Sequence, residues 1–233
     1  MLSHFEIQFR REREMKKERS VWEYFWYALY AFAGLGAEIV LIGLVEPALF
    51  GKISISSYTV GQSIIHWLMT ILCWGTITYM LVRCGRTKLD FQVISNTRPS
   101  RKGILLSGVL VLACITANAF DWGVLKVIGE WRSKDLLLFS FQYIYYIFEV
   151  MLVLLIVVYG QKFAESLMRK RSPVPWGGLL LCCTWGMVHI LSKGSIKTGI
   201  FTMLFSILFG EIYILLERNT KYSYLAIALA FMI

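Results

Sequence analysis

The sequence predicts an all-α fold, a polytopic integral membrane bundle of about seven helical segments with a cytoplasmic N-terminus. Hydrophobic residues make up 57% of the 233 residues and charged residues only 17%. Apolar runs of about 20 residues recur, the length that crosses a bilayer as a helix. Most lysines and arginines lie in alternate connections between these runs, as the positive-inside rule describes. The net charge of +9 therefore reflects membrane topology, and we expect no nucleic-acid partner.

The first part of the chain combines a charged arm with an acid-bearing helix. Residues 1–20 carry charges of both signs, which predicts a cytoplasmic arm able to pair with itself and with acidic lipid headgroups. A retained membrane helix is predicted over residues 22–50. We expect Glu46, near the far end of this helix, to be hydrated at the membrane interface, and Glu38 to lie deeper as a polar partner for another helix.

Six further apolar segments follow and divide the chain into three parts. They are predicted over residues 60–82, 103–120, 136–159, 176–191, 196–216 and 222–233. The last covers only about 18 Å as a helix, less than the roughly 30 Å of a bilayer core. We therefore expect a charged arm at 1–20, three N-terminal membrane helices with their loops at 21–135, and a four-helix core at 136–233.

The best candidate for a functional site is an acid and a histidine on neighbouring membrane helices. Glu149 lies in the 136–159 segment and His189 in the next one. Ionisable groups are costly inside hydrocarbon and usually mark function. A carboxyl group can act as the base that activates water, and an imidazole can share its proton or donate to an oxyanion. The alternative is a hydrogen bond between two helices without chemistry, worth roughly 1 kcal/mol.

Supporting candidates surround this pair in the sequence. Tyr145 and Tyr146 precede Glu149 by about one turn, and Trp185 precedes His189 by one turn. His66 lies near the outer end of the second helix, at a depth similar to that of His189.

No cofactor motif is present in the sequence. The five cysteines show no paired metal spacing and are expected to be small buried hydrophobes. We expect no cofactor. The alternative is a metal ion held by His66, His189 and Glu149, a set of two histidines and one carboxylate.

The order of these motifs resembles the CPBP family of glutamic-type intramembrane proteases, which includes CaaX-processing and bacteriocin-processing enzymes. Trp185-Gly-Met-Val-His189 is similar to the FxxxH motif of that family, and Glu149 stands where its EExxxR glutamates belong. The resemblance covers residues 136–233 and is that of a divergent member. Residues 148–153 lack the second glutamate and the arginine, and residues 222–233 lack the family's HxxxN histidine and asparagine.

The resemblance implies a membrane-embedded protease, or a protease-like protein, in the cell membrane. Glutamate and histidine would activate water to cleave a membrane-associated peptide or protein. The alternative is a non-catalytic relative that acts as a scaffold, a peptide- or lipid-binding protein or an immunity-type factor. Both functions imply membrane lipids and a membrane peptide or protein as partners.

Overall fold

The computed structural model describes residues 21–95 and 97–233, and the regular secondary structure of this part of the chain is all helical, with no strand. The charged arm predicted at 1–20 lies outside the described residues. The helices are α1 (Val21–Phe50), α2 (Val60–Lys88), α3 (Arg101–Trp122), α4 (Lys126–Ser133), α5 (Leu136–Met168), α6 (176–193), α7 (Ile196–Leu215) and α8 (Thr220–Met232). The predicted all-α fold class is thus confirmed for the described residues.

Five helices in the described part of the chain are long and apolar enough to cross a membrane, namely α1, α2, α3, α5 and α7. The other two apolar helices are shorter or interrupted. Helix α6 consists of an α-helical start at Trp176–Leu181, a π-helical turn at Cys182–Gly186 and an α-helical end at Met187–Lys193. Helix α8 has 13 residues, about 20 Å at 1.5 Å per residue.

Helix α5 forms the centre of the bundle because it is apolar on all sides over its middle turns. Its residues 152–160 are all buried, as expected for a helix surrounded by others. It packs against α2, α6 and α8. The hydroxyl of Tyr159 donates a hydrogen bond of 2.8 Å to the backbone oxygen of Leu81 and so ties α5 to α2.

Small residues let α6 lie unusually close to both of its neighbours. A Cβ atom on Gly177 would lie 2.0 Å from the backbone oxygen of Val157 in α5. A Cβ atom on Gly178 would lie 2.9 Å from the Cα atom of Gly210 in α7. Glycine therefore permits the close backbone approach that membrane helices use for packing, and it brings the later turns of α6 next to α5.

Two polar segments between the predicted membrane helices are more helical than expected. Helix α2 continues to Lys88, where basic residues in its last turn suit the negative end of the helix dipole. The connection at 121–135, which the sequence predicts as an outer loop between the apolar segments 103–120 and 136–159, contains α4, whose Lys126 and Glu130 are buried against the bundle. Such short polar helices lack the long apolar run on which the sequence prediction depended.

We call the end of the bundle that carries the α2–α3 connection, the α5–α6 turn and the α7–α8 turn the basic end. Here Arg218 donates from Nε and Nη2 to Glu165, with a shortest distance of 2.5 Å, and from Nη2 to the backbone oxygen of Ser172 at 3.0 Å. The side chain of Asn219 donates to the backbone oxygen of Thr97. These bonds fix α8 to α5 and to the α2–α3 connection.

Candidate functional site

A π-helical turn in α1 determines which way its two acids face. Glu38 and Glu46 are eight residues apart, so in a regular α-helix they would point about 80° apart at 100° per residue. The turn at Leu41–Val45 is π-helical and holds one extra residue. Glu38 and Glu46 therefore behave as if seven residues apart, within about 20° of each other. Both carboxylates face α2.

We define the α1–α2 cluster as Glu38, Glu46, Tyr58, His66 and Tyr145. The two ring nitrogens of His66 each meet a carboxylate: Nδ1 lies 2.6 Å from Glu46 Oε1 and Nε2 lies 3.2 Å from Glu38 Oε1. Tyr58 donates to Glu46 Oε2 at 2.7 Å, and Tyr145 donates to Glu38 Oε1 at 2.9 Å. Because ionised carboxylates only accept hydrogen bonds, this arrangement suits an imidazolium that donates to both.

The expectation that Glu46 is hydrated at the interface is wrong. The residue is 0% exposed, because His66 from α2 and Tyr58 from the preceding turn cover both of its oxygens. The same hydrogen bond has an effect on Tyr58, which lies outside the spanning helices. Donation to Glu46 raises the pKa of Tyr58 to about 12.

We define the Trp185 site as Glu149, Trp185 and His189. The indole Nε1 of Trp185 donates to Glu149 Oε1 at 3.3 Å, and Nδ1 of His189 lies 2.7 Å from the backbone oxygen of Trp185. The rings of Trp185 and His189 are 4.6 Å apart between centroids. Trp185 is 5% exposed and lies in the π-helical turn of α6, a kind of turn that often occurs at functional sites.

The bond to a carbonyl group settles which nitrogen of His189 carries hydrogen. A backbone oxygen is only an acceptor, so Nδ1 must be the donor. In the neutral ring the lone pair is then on Nε2. Within the described residues no hydrogen bond engages Nε2. His189 thus keeps an acceptor nitrogen, and the residue that accepts from its Nδ1, Trp185, also donates to the carboxylate of Glu149.

A buried lysine adds positive charge near this site. The Nζ atom of Lys126 donates to the backbone oxygen of Phe231 at 2.9 Å and lies 4.5 Å from the centre of the Tyr146 ring. Burial lowers the pKa of Lys126, and the negative charges of Glu130 and Glu149 oppose that shift. Sequence reasoning missed Lys126 because it was assigned to a loop. Its spacing of four residues from Glu130 was the available signal.

The supporting candidates do not all join the Trp185 site. Trp185 does, and it links Glu149 to His189. The ring of Tyr146 contacts Lys126, but its hydroxyl donates to Glu130 Oε1 at 2.7 Å. Tyr145 and His66 both belong to the α1–α2 cluster.

The metal set considered from the sequence is not assembled. His66 binds the acids of α1, and in residues 21–95 and 97–233 no group of three or more His, Cys, Asp or Glu residues is arranged to hold a metal ion. In the α1–α2 cluster the two carboxylates bind opposite nitrogens of one ring. Their oxygens and the ring therefore do not converge on a common point.

The chain matches no family model, and no curated protein or solved structure matches it. Functional assignment therefore rests on the chemistry of these two sets of residues.

Proposed function

We propose that this chain is a multi-pass cell-membrane protein with a CPBP-like intramembrane peptidase site at Glu149 and His189. The observation that carries the proposal is the position of Trp185, whose indole donates a hydrogen bond to Glu149 and whose backbone oxygen accepts one from Nδ1 of His189. Trp185 thereby contacts an acid of α5 through its side chain and a histidine of its own helix, α6, through its backbone oxygen. The substrate is a membrane-associated peptide or protein.

In the proposed reaction a water molecule lies between the carboxylate of Glu149 and Nε2 of His189. Nε2 accepts one hydrogen of the water and positions it, and Glu149 removes the other proton as the oxygen attacks the peptide carbonyl carbon. Glu149 then returns that proton to the leaving amine. Lys126, whose charge acts on Glu149, supplies positive charge for the developing oxyanion. This lysine takes the place of family groups that the sequence lacks.

The proposal includes seven membrane segments with the N-terminus in the cytoplasm. Helices α6 and α8 would add two segments to the five spanning helices. Helix α6 packs against α5 and α7, and α8 packs against α3 and α5. The orientation follows from the positively charged connections at the basic end, which the positive-inside rule places in the cytoplasm. His189, one turn from the end of α6 at Lys193, is then near the outer face.

The test is a comparison of protein N-termini in membranes of cells that express the full chain. The wild type is compared with Glu149→Gln, His189→Ala and the control Glu211→Gln, which removes an acid of α7 outside the site. We expect new N-termini with the wild type and the control, and their loss in the other two. Identical N-termini in all four, and in cells without the protein, would overturn the peptidase proposal.

That negative result would support the second candidate, a non-catalytic scaffold, peptide- or lipid-binding protein or immunity-type factor. One observation favours it: residues 148–153 contain a single acid and no arginine where the family has EExxxR. A site with half of the family's groups keeps an oriented acid and histidine that can bind a membrane peptide without the full set of reacting side chains.

A further inference from the structure

An apolar groove runs between α2, α5 and α8 from the basic end into the bundle. Its volume is about 390 Å³, within the range of ligand pockets. Its lining includes Val82, Ile94, Met151, Leu155, Tyr224 and Leu225. We call it the α2–α8 groove. Among the described residues that line it, the polar groups are two threonines and the hydroxyl of Tyr224, and Lys221 is the one charged residue.

The groove faces the hydrocarbon of the bilayer. Leu225 on its rim is 60% exposed, and Leu229, one turn further along α8, is 51% exposed. Exposed leucines along a helix of a membrane bundle contact lipid, which is as apolar as they are. An open apolar groove on such a surface suits an acyl chain.

The charge at the mouth of the groove indicates which lipid fits. Lys221 lies in the first turn of α8, where the helix dipole is positive and a cation is unfavourable. Among the described residues it has no ion-pair partner. A phosphate group bound there would neutralise both the ammonium group and the positive end of the helix.

More positive charge lies on the other side of the α2–α3 connection. A polar pocket of about 360 Å³ is lined by Lys162, Lys170, Arg171 and Arg218 together with two glutamates. This pocket and the α2–α8 groove share Val93 as a common wall. The basic end therefore attracts anionic headgroups toward the mouth of the groove.

We propose that the α2–α8 groove binds one anionic phospholipid, with an acyl chain along its apolar lining and the phosphate on Lys221. The bound lipid contacts α2, α5 and α8 at once. This site lies at the basic end and does not depend on the chemistry of Glu149 and His189.

The proposal is tested by native mass spectrometry of the full chain, released from micelles that contain equal amounts of phosphatidylglycerol and phosphatidylcholine. A lysine near the membrane surface contributes about a fivefold preference for an anionic lipid. We expect that preference in the wild type, and its loss in both Lys221→Glu and Lys221→Gln. The matched control is Lys102→Glu, which changes an exposed lysine in the first turn of α3 outside the groove, and it retains the preference.

A second pair of variants tests the acyl chain. Leu225→Trp fills the groove and lowers retention of both lipids severalfold, whereas Leu229→Trp, one turn away, does not. Each variant is first checked for a wild-type helix signal and elution volume. A wild type without preference, equal preferences in Lys221→Glu and the wild type, or normal lipid retention in Leu225→Trp would each overturn the proposal. The last two results are those expected if the groove instead binds a transmembrane peptide.

Discussion

The α1–α2 cluster and the Trp185 site contain the same residue types with different hydrogen-bond partners. Each combines a glutamate and a histidine inside the bundle, and each lies beside a π-helical turn. In the α1–α2 cluster both ring nitrogens of His66 meet carboxylates. In the Trp185 site, Nδ1 of His189 donates to a backbone oxygen of its own helix. Its Nε2 atom has no hydrogen-bond partner among the described residues.

This difference shows that an acid and a histidine in a membrane protein are not by themselves a reactive pair. When both nitrogens of a histidine are held by carboxylates, no lone pair is left for water, and the group serves to hold helices together. When one nitrogen is fixed by a backbone oxygen, the ring is oriented and its other nitrogen can act. The partners of the histidine therefore distinguish a structural connection from a candidate site.

The largest expected effect is on stability, from removal of the central histidine of the α1–α2 cluster. His66→Ala leaves two inward-facing carboxylates without their cation, and loss of one partner from a buried ion pair costs about 3–5 kcal/mol. Unfolding of the detergent-solubilised protein by heat and denaturant measures this loss. His189→Ala is the comparison and should lower the free energy of unfolding by about 1 kcal/mol. Equal losses in the two variants would contradict the distinction.

The second prediction separates activity from stability. Glu149→Gln removes the proposed base but keeps the shape of the side chain, so peptide cleavage should fall about 100-fold or more. Its free energy of unfolding should change by about 1 kcal/mol or less, since the amide oxygen still accepts from Trp185. Cleavage is followed with a substrate identified from the N-termini, and unfolding as above.

Glu46→Gln is the matched change in the other cluster and should have the opposite profile. It keeps cleavage within about threefold, a change of about 0.6 kcal/mol in activation free energy. Its free energy of unfolding should decrease instead. If both variants abolish cleavage equally, the α1–α2 cluster belongs to the reaction.

The third prediction ranks the two acids of the α1–α2 cluster by burial. Glu46 is 0% exposed at its side chain, whereas that of Glu38 is 26% exposed. Glu46→Gln should therefore cost about 2–3 kcal/mol, and Glu38→Gln about 1 kcal/mol, since water can partly replace the lost interaction at Glu38. The same unfolding experiments measure both. A larger loss for Glu38→Gln would show that its bond to Tyr145 is the dominant contact.

The smallest expected effect comes from Tyr58→Phe. It removes one hydrogen bond to Glu46, worth about 1 kcal/mol. The pKa of Tyr58 is raised from 10.0 to about 12, so the bond contributes fully below pH 10 and is lost as pH rises toward 12. Unfolding at pH 8 should distinguish this variant from the wild type, and unfolding near pH 12 should not.

Tyr30→Phe, which removes the hydroxyl of an exposed tyrosine, is the control for that experiment. It should match the wild type at both pH values. A constant difference between Tyr58→Phe and the wild type across this range would mean that its loss of stability comes from packing.

Most of the helical architecture was accessible from the sequence because long apolar runs specify membrane helices directly. Helix α4 was missed because its polar residues are buried by tertiary contacts that no local pattern reports. Glu149 and His189 were identified as unusual residues in apolar helices. The sequence did not predict that Trp185 contacts both of them, or that His66 binds the two acids of α1. These contacts depend on how the helices pack.

The π-helical turn in α1 also bears on how the length of this helix can vary. Because the turn holds one surplus residue, deleting Gly43 would restore a regular α-helix while Glu38 and the second acid stayed within about 20° of each other. Among the described residues, no atom outside the neighbouring turns of the helix lies within 4 Å of a Cβ atom built on Gly43, so the residue lies on an open face of α1. Homologous chains could then differ by one residue here, and a search for them should accept two acids that are seven residues apart as well as eight.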